Sequence, residues 1–144
     1  MKTAKLVTVP LALGLALTAT TVCATTTASA ASDHSRSRTT RAVTLTNGDN
    51  GRAVAVTAGD VITVRLTHLR DQGDTWVWSA PTASASAVLR RIRGGTSPDG
   101  DATATFRADT DGTSDITASR RCVPDPGSVC PRVVIPWRVT VTVT

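Results

Sequence analysis

The fold class is decided by the C-terminal stretch VVIPWRVTVTVT, residues 133–144. From Trp137 onward, apolar side chains alternate with arginine and threonine, and a period of two is that of a β-strand with one buried face. Pro136 lacks an amide hydrogen, which predicts that the strand is bulged or lies at a sheet edge at this point. The stretch therefore predicts a strand that covers one side of a hydrophobic core.

The same alternation recurs upstream of this strand. Its apolar members are Val43, Leu45, Val54, Val56, Ile62, Val64, Leu66, Trp76, Trp78, Ala102, Ala104, Phe106, Ala108, Ile116 and Ala118. The first two pairs flank the turn-rich residues 47–51 and predict a hairpin. Residues 87–93, AVLRRIR, fit a strand or one helical turn, and their context favours a strand. Residues 94–101 predict a loop by composition.

About eight short strands, with turn signals about every 8 to 12 residues, predict an all-β fold. We expect an antiparallel immunoglobulin-like β-sandwich over residues 42–144, with a closed barrel as the alternative. The composition agrees, because the 144-residue chain has no glutamate and only two lysines, Lys2 and Lys5, both near its start. Such a composition argues against a helical bundle. A hydrophobic fraction of 40% argues against a disordered chain.

The first thirty residues predict a signal peptide. Lys2 and Lys5 precede the apolar residues 6–17, and Ala28-Ser29-Ala30 supplies small residues for cleavage after Ala30. The apolar run is shorter than the about 20 residues needed to cross a bilayer, so no membrane span is predicted. Residues 31–41 predict a flexible polar leader. Together these features predict a secreted protein.

Cys23 offers a rival interpretation of the N-terminus, since bacterial lipoproteins acylate a cysteine at the start of the mature chain. Val22 precedes it, where such signals prefer Gly, Ala or Ser, so lipid anchoring is disfavoured. Cleavage after Ala30 leaves Cys122 and Cys130, which predict a disulfide in an exported chain. Closing this nine-residue loop contributes about 2.6 kcal/mol on the chain-entropy model.

The residues offer little chemistry. His68 is the one imidazole beyond the leader, since His34 lies within residues 31–41, and a strand-end position for His68 is favoured over a catalytic base. Asp109, Asp111 and Asp115 match only part of a calcium loop, and a polar turn is favoured. Asp99 and Asp101 receive the same interpretation. No catalytic residue, metal or cofactor is predicted.

Two arginine clusters and a tryptophan pair have alternative interpretations. The clusters are Arg90, Arg91 and Arg93, and then Arg120 and Arg121. Solvated strand faces are favoured over a polyanion site, and nucleic-acid binding is not predicted because aromatic residues are few. Trp76 and Trp78 share one face of a strand, where they either fill the core or bind a ligand. The core is favoured for both, together with Phe106 and Trp137.

The strand pattern resembles a known family. Its frame consists of Gly59-Asp60-Val61-Ile62-x-Val64-x-Leu66, the Trp76 strand, Gly112 before Ile116, and the final valine-rich strand. This layout is similar to the chagasin-like inhibitors of papain-type cysteine proteases. Those are small exported β-sandwiches that insert three loops from one end into the protease cleft.

The loop motifs of that family are matched in part. Its first loop reads Asn-Pro-Thr-Thr-Gly, then an aromatic, any residue and Trp. Here the corresponding residues are Leu69, Arg70, Asp71, Gln72 and Gly73, followed by Asp74, Thr75 and Trp76, so that the glycine and the tryptophan match. The glycine-rich second loop has counterparts in Gly94-Gly95 or Asp99-Gly100. The third loop carries Arg-Pro-Trp, whereas here Arg121 is followed by Cys122.

The resemblance implies a protein-binding module that is not an enzyme. Its implied binding loops lie at residues 69–73, 94–100 and 121–130, and its implied partner is a protein such as a papain-like protease. The alternative is an exported immunoglobulin-like module that binds a cell-envelope component or another protein without inhibiting a protease. A hydrolase based on His68 is a distant third hypothesis. A monomer is expected.

Overall fold

The computed structural model describes residues 39–144, which form ten β-strands and one short 3-10 turn. The strands are β1 Ala42–Leu45, β2 Ala53–Val56, β3 Val61–Leu66, β4 Leu69–Asp71, β5 Asp74–Trp78, β6 Thr82–Ala83, β7 Leu89–Thr96, β8 Ala102–Ala108, β9 Gly112–Pro124 and β10 Val134–Val143. The predicted signal peptide, the acylation alternative at Cys23 and most of the predicted leader lie outside the described residues. No helix within residues 39–144 is long and apolar enough to cross a membrane.

The strands form two sheets that enclose one core. The first sheet has the order β1-β3-β8-β7, and the second has the order β2-β10-β9-β5-β4, with β6 paired to β9. Buried side chains of both sheets form one hydrophobic cluster, whose largest members include Trp137, Phe106, Ile62, Leu66 and Ile116. The immunoglobulin-like β-sandwich is thereby confirmed, and the closed barrel is excluded. The sheets are mixed rather than wholly antiparallel, because β1 and β2 each pair in parallel with their neighbour. Ten strands replace the expected eight because β4 and β6 are too short to show alternation.

The predicted hairpin between the first two strands is wrong. β1 pairs in parallel with β3, whereas β2 pairs in parallel with β10 in the opposite sheet. The connecting segment is held by Asp49, whose Oδ2 accepts the Thr46 amide at 2.7 Å and whose Oδ1 pairs with Arg52 at 2.6 Å. Alternation identifies the buried face of a strand, but it does not identify the neighbouring strand, so the crossing between sheets was not predicted.

The ambiguous residues 87–93 lead into β7, which confirms the strand over the helical turn. The predicted loop at 94–101 is too long, because Gly94 and Gly95 continue β7 and pair with Ala104 and Thr103. Gly94 has a φ of +147°, and a Cβ at this position would contact the Thr103 carbonyl oxygen. Glycine at this position therefore permits the close approach of two strands. The loop had been predicted from composition alone, which does not distinguish this role of glycine from a turn.

The final strand follows its pattern closely. Its inward residues Trp137, Val139, Val141 and Val143 are buried, and the Trp137 indole donates to the Thr46 carbonyl at 3.1 Å. β2 pairs only with Thr140–Val143, so the stretch around Pro136 has β9 on one side and no strand on the other. The predicted edge position of Pro136 is confirmed.

Candidate functional site

The first of three neighbouring loops is a tight β-hairpin. Leu69, Arg70 and Asp71, expected in a loop, form β4 and pair with β5. Only Gln72 and Gly73 turn the chain, with φ values of +48° and +86°. Positive φ at both positions is the signature of a type I′ turn, which matches the twist of the strands. All five residues are exposed.

The second loop, residues 97–101, docks onto the first hairpin. The Trp78 amide donates to the Gly100 carbonyl at 2.9 Å. Gly100 is buried with a φ of +95°, and a Cβ there would lie 2.9 Å from Cβ of Val77. Asp99 remains exposed. The turn therefore rests against β5, while Gly94 and Gly95 lie in the strand before it.

His68 fastens the second loop to the start of the hairpin. Its backbone amide donates to Asp101 Oδ1 at 2.8 Å, and its Nδ1 lies 2.7 Å from the same oxygen. These two bonds hold the pKa of the Asp101 carboxyl below its ordinary value, and the backbone bond has the larger effect. The half-buried imidazole thus has a structural partner in Asp101. His68 itself lies just after the end of β3, which agrees with the favoured strand-end position.

The third loop is closed by the predicted disulfide, which is confirmed. Cys122 and Cys130 are joined with their Cα atoms 5.7 Å apart. A side chain at Gly73 would lie 3.7 Å from Ser128 Oγ, so the loop runs beside the hairpin turn. Val129 projects from this loop with 91% of its surface exposed.

Residues of all three loops line one groove of about 360 Å³. Its lining residues are His68, Arg70, Thr75, Val77, Pro98, Asp99 and Val123. On the face of β5 and β9 that borders it, Val123 is 42% exposed and Val134 is 64% exposed, whereas Leu69, 45% exposed, pairs with Trp76 on the opposite face. The loops, which are separated in the sequence, thus present one continuous surface.

An arginine between two tryptophans supports the base of this surface. The Arg120 guanidinium carbon lies 5.7 Å from the ring centroids of both Trp76 and Trp78. At this distance the cation is attracted by the face of each ring. Trp78, Phe106 and Trp137 are buried in the core, whereas Trp76 is half-buried outside that cluster. Sequence analysis did not predict this stack. The three residues meet only because β5 pairs with β9, and that pairing has no local signal in the sequence.

Several other predicted site residues do not line the groove. Arg121 is exposed on β9 opposite Val77 and Val134. Asp109 accepts from Arg90 Nε at 2.6 Å, which holds the pKa of its carboxyl below the ordinary value. Asp115 accepts from Thr140 Oγ1 at 2.7 Å. Both aspartates therefore have partners within the fold. The predicted polar turn holds for residues 109–111 and is wrong for Asp115, which lies in β9.

One cluster of ligand-type residues occurs within residues 39–144. Asp74, Cys122 and Cys130 bring a carboxylate and two sulfurs within 4.8 Å of one another. The two sulfurs are joined to each other in the disulfide. A thiolate is the form of cysteine that binds a metal, so the cluster cannot ligate one while the bond is intact.

The chain matches no protein-family model and no curated protein sequence. Among solved structures it is similar to the cysteine protease inhibitor EhICP2 from Entamoeba histolytica, with 12% identity, a TM-score of 0.48, and coverage of 73% of this chain and 97% of that one. It is also similar to PbICP-C, solved in complex with falcipain-2, with 14% identity, a TM-score of 0.40, and coverage of 75% and 93%. An inclusion body protein from Burkholderia cenocepacia matches with 14% identity, a TM-score of 0.45, and coverage of 62% and 59%. Inhibitors of the chagasin-like family are thus among the solved structures to which this chain is similar, with TM-scores below 0.5.

Proposed function

We propose that the protein is an exported recognition module that binds a papain-type cysteine protease through the surface formed by its three loops. The observation that carries this proposal is the groove shared by Arg70 of the β4–β5 hairpin, Pro98 and Asp99 of the second loop, and Val123 at the β9 end of the disulfide loop. Loops of a rigid sandwich suit recognition, because the sheets fix the loop positions before binding.

The exposed apolar side chains supply the contact area for such a partner. Val123 is exposed near the end of β9, and Val129 is exposed in the disulfide loop that follows. Burying each against a partner is worth about 1 to 2 kcal/mol, and the disulfide reduces the ordering cost of the third loop. Val129 and its neighbours stand where the resemblance places an aromatic wedge, so we expect a smaller apolar insertion than in that family.

Inhibition assays test this proposal directly. The mature, disulfide-bonded protein is titrated against a panel of papain-type proteases with a fluorogenic peptide substrate. Val123→Asp and Val129→Asp are each expected to weaken inhibition at least tenfold, because each introduces a charge into the buried contact. Ile92→Asp is the matched control, since Ile92 is 50% exposed on β7, away from the groove.

Two outcomes would contradict the proposal. Absence of inhibition at micromolar concentration across the panel would exclude protease binding and leave the alternative, an envelope or protein ligand bound without inhibition. Equal losses in the Ile92→Asp control and the groove variants would show that the inhibition does not depend on the loops.

A further inference from the structure

The outer face of the first sheet carries arginine and threonine almost exclusively. Along β3 and β8 the buried Ile62, Val64, Ala104 and Phe106 alternate with side chains that point outward. We call these outward residues, with their neighbours on β1 and β7, the arginine–threonine face. Its members are Arg65, Arg90, Arg93, Arg107, Thr44, Thr63, Thr103 and Thr105.

A shallow groove of about 290 Å³ crosses this face. It is lined by Thr63, Arg65, Arg93, Gly94, Thr103 and Thr105. Arg65 on β3 lies opposite Thr103 and Arg93 on β7 lies opposite Thr105, both on the intervening β8. Two interstrand spacings and this two-residue offset place the backbones of the two arginines about 12 Å apart. Arg93 Nε donates to Thr105 Oγ1 at 3.3 Å, which holds its side chain along the groove.

The charge of this face is only partly neutralised. Asp109 pairs with Arg90 at 2.6 Å and lies 3.8 Å from Arg107. Arg65 and Arg93 form no ion pair with any residue in the described part of the chain. Four arginines and one aspartate leave the face with a formal charge of +3. Two guanidinium groups beside hydroxyl donors form a complement to tetrahedral oxyanions.

The geometry points to a glycan carrying sulfate or phosphate esters as the ligand of the arginine–threonine face, and we propose this as a second binding activity, independent of the three loops. The open groove suits an extended glycan chain. The arginines spaced across it suit the repeated negative charges of such a chain. Phe106 points inward, and the tryptophans belong to the other sheet. The face therefore offers no aromatic platform on which nucleic-acid bases could stack.

Salt-dependent binding to heparin and to a phosphomannan tests this proposal, and duplex DNA serves as a third polyanion. The variant Arg65→Gln/Arg93→Gln is expected to lose at least tenfold in affinity for the glycan that binds. Its dependence on salt should also become shallower, since fewer ion pairs release fewer counterions. The matched control is Arg52→Gln/Arg138→Gln, which removes the same charge from two exposed positions, one just before β2 and one in β10 of the second sheet.

The outcomes are distinct. Binding of heparin alone, or of phosphomannan alone, supports the proposal and identifies the ester. Equal losses in both double variants would overturn it, because net charge alone would then explain binding. Failure of both glycans to bind at low salt, or tighter binding of DNA than of either glycan, would also overturn it. Protease inhibition by Arg65→Gln/Arg93→Gln should match that of the unmodified protein, which also shows that the variant is folded.

Discussion

Asp60 is a buried carboxylate beside the turn that joins β2 to β3. Its Oδ2 accepts the Thr57 amide at 2.9 Å, and its Oδ1 accepts the Arg41 amide at 2.9 Å. These bonds hold the pKa of the carboxyl below its ordinary value, and the bond from Thr57 has the larger effect. A lowered pKa in the folded state means that ionised Asp60 stabilises the fold. This stabilisation is present above the unfolded pKa of about 3.9 and is lost as pH falls through the folded value.

Replacement of Asp60 by alanine should therefore destabilise the protein at neutral pH. We expect a loss of about 2 kcal/mol, since two partly buried backbone amides lose a charged acceptor. Urea denaturation at pH 7 and at pH 3 measures the effect, and the difference between Asp60→Ala and the unmodified protein should shrink at pH 3. Asp99→Ala, at an exposed turn position, is the control. A difference that is unchanged at pH 3 would contradict the assigned role of the ionised carboxyl.

Gly100 provides a second prediction at the level of a single residue. It combines a φ of +95° with close approach to Val77, so Gly100→Ala should cost about 1 to 3 kcal/mol. Gly95→Ala is the matched control, because a Cβ at Gly95 meets nothing within 4 Å. Thermal unfolding compares the two variants. Equal stability of Gly100→Ala and Gly95→Ala would show that the turn does not require its present contact with β5.

The disulfide loop between β9 and β10 is the element on which the proposed recognition depends most. Cys122→Ser/Cys130→Ser should lower the free energy of unfolding by about 2.6 kcal/mol, through the added freedom of the unfolded chain. If the loop contacts the protease, inhibition should weaken as well, because the loop must then be ordered on binding. Urea denaturation and inhibition assays measure the two effects separately. Unchanged inhibition by a folded double variant would reduce the disulfide to a stabilising role.

Individual strands were predictable because burial on one face leaves a period of two. The segments at Ile62, Phe106, Ile116 and Trp137 show it, and each lies in a strand with these side chains buried. Pairing was less predictable. Nothing local in residues 42–56 indicates that β1 and β2 join opposite sheets in parallel pairs, since those partners lie at β3 and β10.

The candidate site was predictable in position more than in structure. Family resemblance and composition placed the loops near residues 69–73, 94–100 and 121–130, and parts of all three border the groove. The same signals could not show that Leu69 begins a strand or that Gly94 lies within one. The sequence identified Arg120 only as a member of the arginine cluster with Arg121. Its contact with Trp76 and Trp78 was not predicted, because that contact depends on the long-range pairing of β5 with β9.

At the scale of the whole molecule, one core supports both proposed surfaces. The three loops emerge mainly from the second sheet, and the arginine–threonine face belongs to the first. Ile62 and Phe106 of the first sheet share a cluster with Trp78 and Trp137 of the second. The sheets bury these residues only against each other, so neither sheet can lose its order while the other keeps its core. Unfolding should therefore be a single cooperative transition.

Ile62→Val tests this coupling between the sheets. Ile62 is fully buried, and removal of one methylene there should cost about 1 kcal/mol. All three tryptophans lie in the second sheet, so their fluorescence reports a sheet that does not contain the substitution. We expect the urea midpoint from fluorescence to fall by the same amount as the midpoint from far-ultraviolet circular dichroism. Thr103→Ala, exposed on the same sheet, should move neither midpoint appreciably. Midpoints that separate in Ile62→Val would mean that the sheets unfold independently, and the rigid support assumed for the three loops would then be absent.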